Sequence, residues 1–81
     1  IGEPVLTVEF NPRIDAVEIF CDGEGLDLLL DKLTRLKKNG GHTHLMTPTW
    51  AGDELSETRQ GPDNRLLNHL VIALAPEEGG R

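Results

Sequence analysis

The sequence predicts an α+β fold: a small, mostly antiparallel sheet of four to five strands with one helix packed on one face, in the order β-β-α-β-β. Three observations carry this expectation. Two stretches of alternating apolar residues flank a short Asn11-Pro12-Arg13 turn. A leucine-rich run at helical spacing follows and stops at Asn39-Gly40-Gly41. Apolar alternation then resumes around His42 and again around Leu66.

Residues 4–10 read as the first strand, with Leu6, Val8 and Phe10 on one side and Val5, Thr7 and Glu9 on the other. Proline presets φ and Asn11 closes a local hydrogen bond, so the chain turns there. Residues 14–21 form the second strand, and the short connection makes the pair an antiparallel hairpin. Asp22 is a good N-cap, and Glu24 and Asp27 suit the positive end of a helix. Leu26, Leu29, Leu30, Leu33 and Leu36 fall on one stripe, which is expected to cover one side of the sheet. Lys32, Arg35, Lys37 and Lys38 crowd the C-terminal turns, where the helix dipole favours cations. The helix thus spans about 23–38 and ends at a left-handed glycine stop.

A third strand covers 42–47 and ends at Pro48. The following segment, 50–64, reads as turns and loop, with a short strand around 53–57. Residues 65–75 form the last strand, Leu66, Leu70, Ile72 and Leu74 on one face and Leu67, His69, Val71 and Ala73 on the other. Residues 77–81 read as a solvated tail. With one helix available, the other face of the sheet is expected to stay open.

Eighty-one residues make a single small domain, 1–81, of marginal stability, roughly 4–12 kcal/mol. The formal net charge is −6, from 14 acidic and 8 basic residues. That disfavours a nucleic-acid partner, which requires a basic face, and suits a basic protein partner. No apolar run approaches a membrane span, so no membrane partner is expected. Cys21 is the sole cysteine, so no internal disulfide forms and a reducing, cytoplasmic setting is the simplest expectation. With no basic neighbour, it reads as a buried structural thiol.

His42 and His44 are two apart and therefore share a face of their strand. If Leu45 faces the helix, both histidines and Met46 lie on the open side, together with His69 and Val71 of the last strand. His-x-His is a metal-ligand spacing, so a small metal-binding or hydrolytic domain on His42, His44 and His69, joined by a nearby carboxylate, is an alternative reading. The spacing is common by chance, and a polar interface patch explains it with fewer requirements. Trp50 can cap the small core or anchor a partner. Asp53, Glu54 and Glu57 read as solvated or partner-facing rather than as an acid–base pair. There is no phosphate loop, dinucleotide fingerprint, nucleophile elbow or zinc knuckle, so neither cofactor nor catalysis is expected.

The residues Gly41-His42-Thr43-His44-Leu45-Met46, Trp50-Ala51-Gly52 and Glu54-Leu55 give the chain a family likeness. It resembles the bacterial immunity proteins catalogued as immunity protein 32, found beside toxins of polymorphic toxin systems. In that family a small α+β domain carries a His-Leu pair in a strand, then a glycine-containing turn and a Glu-Leu pair. Here these correspond to His44-Leu45, Gly52 and Glu54-Leu55. The resemblance implies a non-enzymatic inhibitor of a cognate toxin, working inside the producing bacterium. His42, His44, Trp50, Asp53, Glu54, Glu57 and His69 are the candidate partner-binding residues. The acidity suits a basic, nuclease-type toxin. A homodimer formed through the open face is a further possibility to be separated by sedimentation.

Overall fold

A computed structural model describes residues 3–76. Its order is β1 (Leu6–Asn11), β2 (Ala16–Cys21), α1 (Gly23–Asn39), β3 (His42–Met46), a one-turn 3-10 helix (Pro48–Trp50), β4 (Arg65–Leu67) and β5 (His69–Ala73). The architecture is α+β, with five strands in two antiparallel sheets, ordered β2-β1-β4 and β3-β5.

The β1–β2 hairpin forms as its alternation requires, pairing Leu6 with Cys21 through to Asn11 with Ala16 without a bulge. Its turn is longer than expected: residues 12–15 are all outside the strands, and Asp15 takes the left-handed φ of 56° that closes it. The Arg13 amide donates to Asn11 Oδ1 at 3.0 Å, the local bond foreseen for this turn. Asp22 caps α1, accepting from the Gly25 amide at 2.7 Å. At the other end the Gly40 amide donates to the Leu36 carbonyl, and Gly40 and Gly41 adopt φ of 74° and 81°. Only a residue without Cβ takes such angles without strain.

The leucine stripe seats differently from expectation. Leu36 is buried and Leu28 and Leu29 pack on the core, whereas Leu26, Leu30 and Leu33 are 45%, 51% and 38% exposed. Gly25 explains the rotation. A Cβ there would lie 1.7 Å from the Val5 carbonyl oxygen, so the helix approaches β1 backbone-first at this point. The inward line then runs through buried Gly25 and Leu36 and half-buried Leu29 and Lys32, so only one edge of the predicted stripe faces the core. The shared core comprises Leu6, Val8, Leu45 and Leu55, with Leu28, Leu29, Leu67 and Leu70 against it.

The expected last strand, 65–75, is broken at Asn68 into β4 and β5, which belong to different sheets. Asn68 occupies the switch: its carbonyl accepts from the Thr47 amide at 3.0 Å and its Oδ1 from the Thr47 hydroxyl at 2.7 Å. The break resets the alternation, so Leu67 and Leu70 both reach the core. The expected short strand at 53–57 is an irregular strap instead. Its Leu55 amide donates to Met46 O and its Ser56 amide to Leu6 O, which ties the two sheets together.

The open face is smaller than a single-helix domain implies. On the three-stranded sheet, the side opposite the hydrophobic core is closed by the loop at 58–64, and Thr7 and Glu9 are fully buried beneath it. Glu9 is the organising group. Its carboxylate accepts from the Thr7 hydroxyl (2.6 Å), the amides of Gln60 (2.8 Å) and Gly61 (3.0 Å), and Asn64 Nδ2 (2.9 Å). Asn64 Nδ2 also donates to Glu18 at 2.9 Å, extending the network to β2. Burial pushes the Glu9 carboxyl up, but the hydrogen bonds outweigh it and bring its pKa down to about 2. Cys21, expected to be buried, is exposed, because it ends a strand at the sheet edge beyond the reach of the core.

Candidate functional site

The uncovered sheet face is that of β3 and β5. These strands pair His42 with Ala73, His44 with Val71 and Met46 with His69. Leu45, fully buried, and its partner Leu70 turn toward the core, so the alternate residues turn outward. All three histidines of the chain therefore meet on one surface.

Their rings are in contact. His44 Nδ1 and His69 Nε2 lie 2.8 Å apart, and the two rings are nearly parallel, 15° between planes and 5.0 Å between centroids. A bond of this length requires one nitrogen to donate and the other to accept, so the pair shares one hydrogen between two imidazoles. The His42 ring meets His44 edge-on at 4.8 Å and 82°. Trp50 extends the row from the 3-10 helix, its ring 5.4 Å from that of His69. It is 52% exposed and packs on His69 rather than capping the core. Four rings thus form a continuous amphipathic strip, with exposed Val71 beside them. Thr47 sets the tryptophan's position: its carbonyl accepts from the amides of Trp50 and Gly52, both at 2.9 Å.

The carboxylates beyond the strip divide by environment. Glu54 Oε1 accepts from the Met46 amide at 3.0 Å, and this bond holds its carboxyl below the usual value, helped by Lys32. Glu57 Oε2 accepts from the Thr49 amide at 2.7 Å, and contacts with Thr49 lower its carboxyl too. Both side chains therefore brace the strap and the 3-10 turn, a local role that the expectation of solvated or partner-facing groups did not include. Asp53 is exposed and lines a shallow cleft of about 260 Å³ with Glu3, Pro4, Leu28, Pro48 and Glu54.

Among the described residues no carboxylate joins the histidines in a ligand set, and Glu54 and Glu57 accept from backbone amides instead. Two nitrogens on one zinc ion sit roughly 3.3 Å apart, wider than the hydrogen-bonded His44–His69 pair. Among the described residues, no group of three or more His, Cys, Asp or Glu is arranged to hold a metal ion. The geometry suits stacking and hydrogen bonding to a flat or extended partner surface. No helix among the described residues is long and apolar enough to cross a membrane.

Glu9, Asn64, Asn68 and Thr47 are the positioning residues that sequence reading passed over. The signal was faint: a Glu in an alternating strand ordinarily faces water. Only a loop with closely spaced Gly61 and Asn64 hints at a lid able to satisfy it.

No curated protein and no solved structure gives a significant match to the chain. The family model of immunity protein 32 matches residues 16–75, from β2 through the whole of the β3–β5 face. The chain belongs to the immunity protein 32 family.

Proposed function

We propose that this protein neutralises a cognate toxin by binding it, without chemistry of its own, through the strip His42, His44, His69 and Trp50. Family membership supports toxin neutralisation as the role. The observation that carries the binding surface is the contact row of the four rings on the uncovered β3–β5 face. Tryptophan and histidine present large, rigid, amphipathic area with little side-chain entropy to lose, which is what anchors an interface. The strip is preorganised by the His44–His69 bond and by Thr47 beneath the 3-10 turn.

The net charge of −6 suits a basic toxin, such as a nuclease that must itself approach a polyanion. Exposed Asp53, in the cleft lined by Pro48 and Leu28, then contributes to steering and register rather than to most of the affinity. The site of action is the cytoplasm of the bacterium that makes the toxin.

The test is binding to the toxin encoded beside the gene, read with protection of cells that express it. Trp50→Ala and His44→Ala should each weaken binding by roughly tenfold or more, mainly through faster dissociation, with the circular dichroism of the fold unchanged. Asp53→Lys should slow association and flatten its salt dependence. If Trp50→Ala and His44→Ala bind and protect like the parent, the strip is not the contact surface. If the parent neither binds nor protects, the neutralising role itself falls.

A further inference from the structure

The outer edge of β2 is the longest strand edge among the described residues, where no backbone hydrogen bond closes it. β2 is terminal in the order β2-β1-β4. Its six residues carry no proline, lysine or bulge to keep the edge from pairing, and its one charged side chain, Glu18, is bonded to Asn11 and Asn64. The ladder fixes which groups face outward. The Asp22 amide donates to Val5 O, so Val5 and Asp22 are a hydrogen-bonded pair, and alternate pairs along the hairpin follow suit. Thr7–Phe20, Glu9–Glu18 and Asn11–Ala16 then exchange bonds within the hairpin. Val17, Ile19 and Cys21 point their N–H and C=O groups away from it. The amide and carbonyl of Leu6, partner of Cys21, go to Ser56 instead, as this alternation requires.

The same three residues are exposed on the apolar side: Val17 is 60% and Ile19 43% exposed, and Cys21 is exposed as well. They continue the face on which Leu6 and Val8 are buried.

We infer that β2 pairs antiparallel with β2 of a second copy, about a twofold axis through Ile19. This register alone brings all three outward residues of one strand opposite all three of the other, Ile19 on Ile19 and Val17 on Cys21. All six outward backbone groups of each strand are thereby satisfied. Each of the two registers shifted by two residues leaves a third of the outward residues unmatched, and one of them sets Glu18 against Glu18. Like charges directly opposite destabilise a sheet. In the inferred register Glu18 lies opposite Phe20, and the apolar side becomes a closed row of Val17, Ile19 and Cys21 from both copies. An isologous pairing closes on itself: one twofold contact consumes the exposed β2 edge of both copies and leaves none for a further strand. The result is one six-stranded sheet, β4-β1-β2 followed by its symmetry mate. The edge lies outside the histidine–tryptophan strip, so this inference does not rest on toxin binding, and both copies keep that strip free.

Sedimentation equilibrium of the purified chain under reducing conditions should give twice the monomer mass. Ile19→Lys should give the monomer mass with an unchanged circular dichroism spectrum. Disulfide trapping under mild oxidation reads the register. Ile19→Cys in a Cys21→Ser background should link covalently, since hydrogen-bonded antiparallel partners have Cα atoms about 5.5 Å apart, within disulfide reach. Val17→Cys with native Cys21 should also link, whereas Val17→Cys with Cys21→Ser should not. A monomeric parent, a dimer indifferent to Ile19→Lys, or trapping in another pattern would each overturn the inference. So would a monomer whose Ile19→Lys variant loses toxin binding, for the edge would then belong to the toxin.

Discussion

Glu9→Gln is expected to destabilise the protein by about 3 kcal/mol at neutral pH, with unfolding by urea as the measurement. The carboxylate accepts four hydrogen bonds, two on each oxygen. A glutamine amide must turn its NH2 toward one of those pairs of donors, whichever way it is flipped, leaving buried N–H groups facing one another. Glutamine is nearly the size of glutamate, so the loss reads the charge and its bonds rather than a cavity.

The same residue sets an acid limit. The Glu9 carboxyl is held at about 2, against 4.5 for the free group. A folded-state value lower than the unfolded one means that the stabilisation is complete above about pH 5. It is lost as pH falls, by about 1.4 kcal/mol for each pH step, and is gone near pH 2. The difference between parent and Glu9→Gln should therefore shrink steadily on acidification. Equal urea midpoints for the two proteins at neutral pH would dismiss Glu9 as the clasp of the 58–64 loop.

Gly25→Ala should reverse the usual sign of its kind. In an exposed helix interior that substitution stabilises by about 1 kcal/mol, since glycine is the poorer helix former. Here the new methyl would sit 1.7 Å from Val5 O and 2.7 Å from Val5 C, both backbone atoms that cannot swing aside. Either α1 lifts off β1 or the first strand shifts, and overpacking of this severity costs about 3 kcal/mol or more. Gly23→Ala is the internal comparison, because a Cβ there meets nothing within 4 Å. The pair should differ by several kilocalories in the thermal or urea transition, and similar stabilities for both would show that the helix is not seated at Gly25.

Where local chemistry decides the conformation, the sequence was readable. The hairpin, the Asp22 cap, the Gly40-Gly41 stop and the β-β-α-β-β order all follow from capping, turn chemistry and alternation. So does the shared face of His42, His44 and His69, which needs only strand parity and the inward choice of Leu45 and Leu70. What was not readable depends on contacts distant in the chain. Leu26, Leu30 and Leu33 look like the core stripe until Gly25 meets Val5, twenty positions earlier in the sequence. Residues 65–75 look like one strand until Asn68 meets Thr47. Glu9 looks solvated until Gln60, Gly61 and Asn64 close over it. In each case a polar or missing side chain overrode a sound apolar pattern. The carboxylates of the candidate site went the same way, since nothing local tells that Glu54 and Glu57 will brace backbone amides while Asp53 stays free.

The position of Trp50 has an optical consequence. The chain holds one tryptophan and no tyrosine, so its intrinsic fluorescence arises from this residue alone. That indole is half in water and lies against His69 at the end of the ring strip. The protein thus carries an unlabelled optical probe on the surface we propose for toxin binding, and dehydration of that surface reads directly as a shift of emission to shorter wavelength.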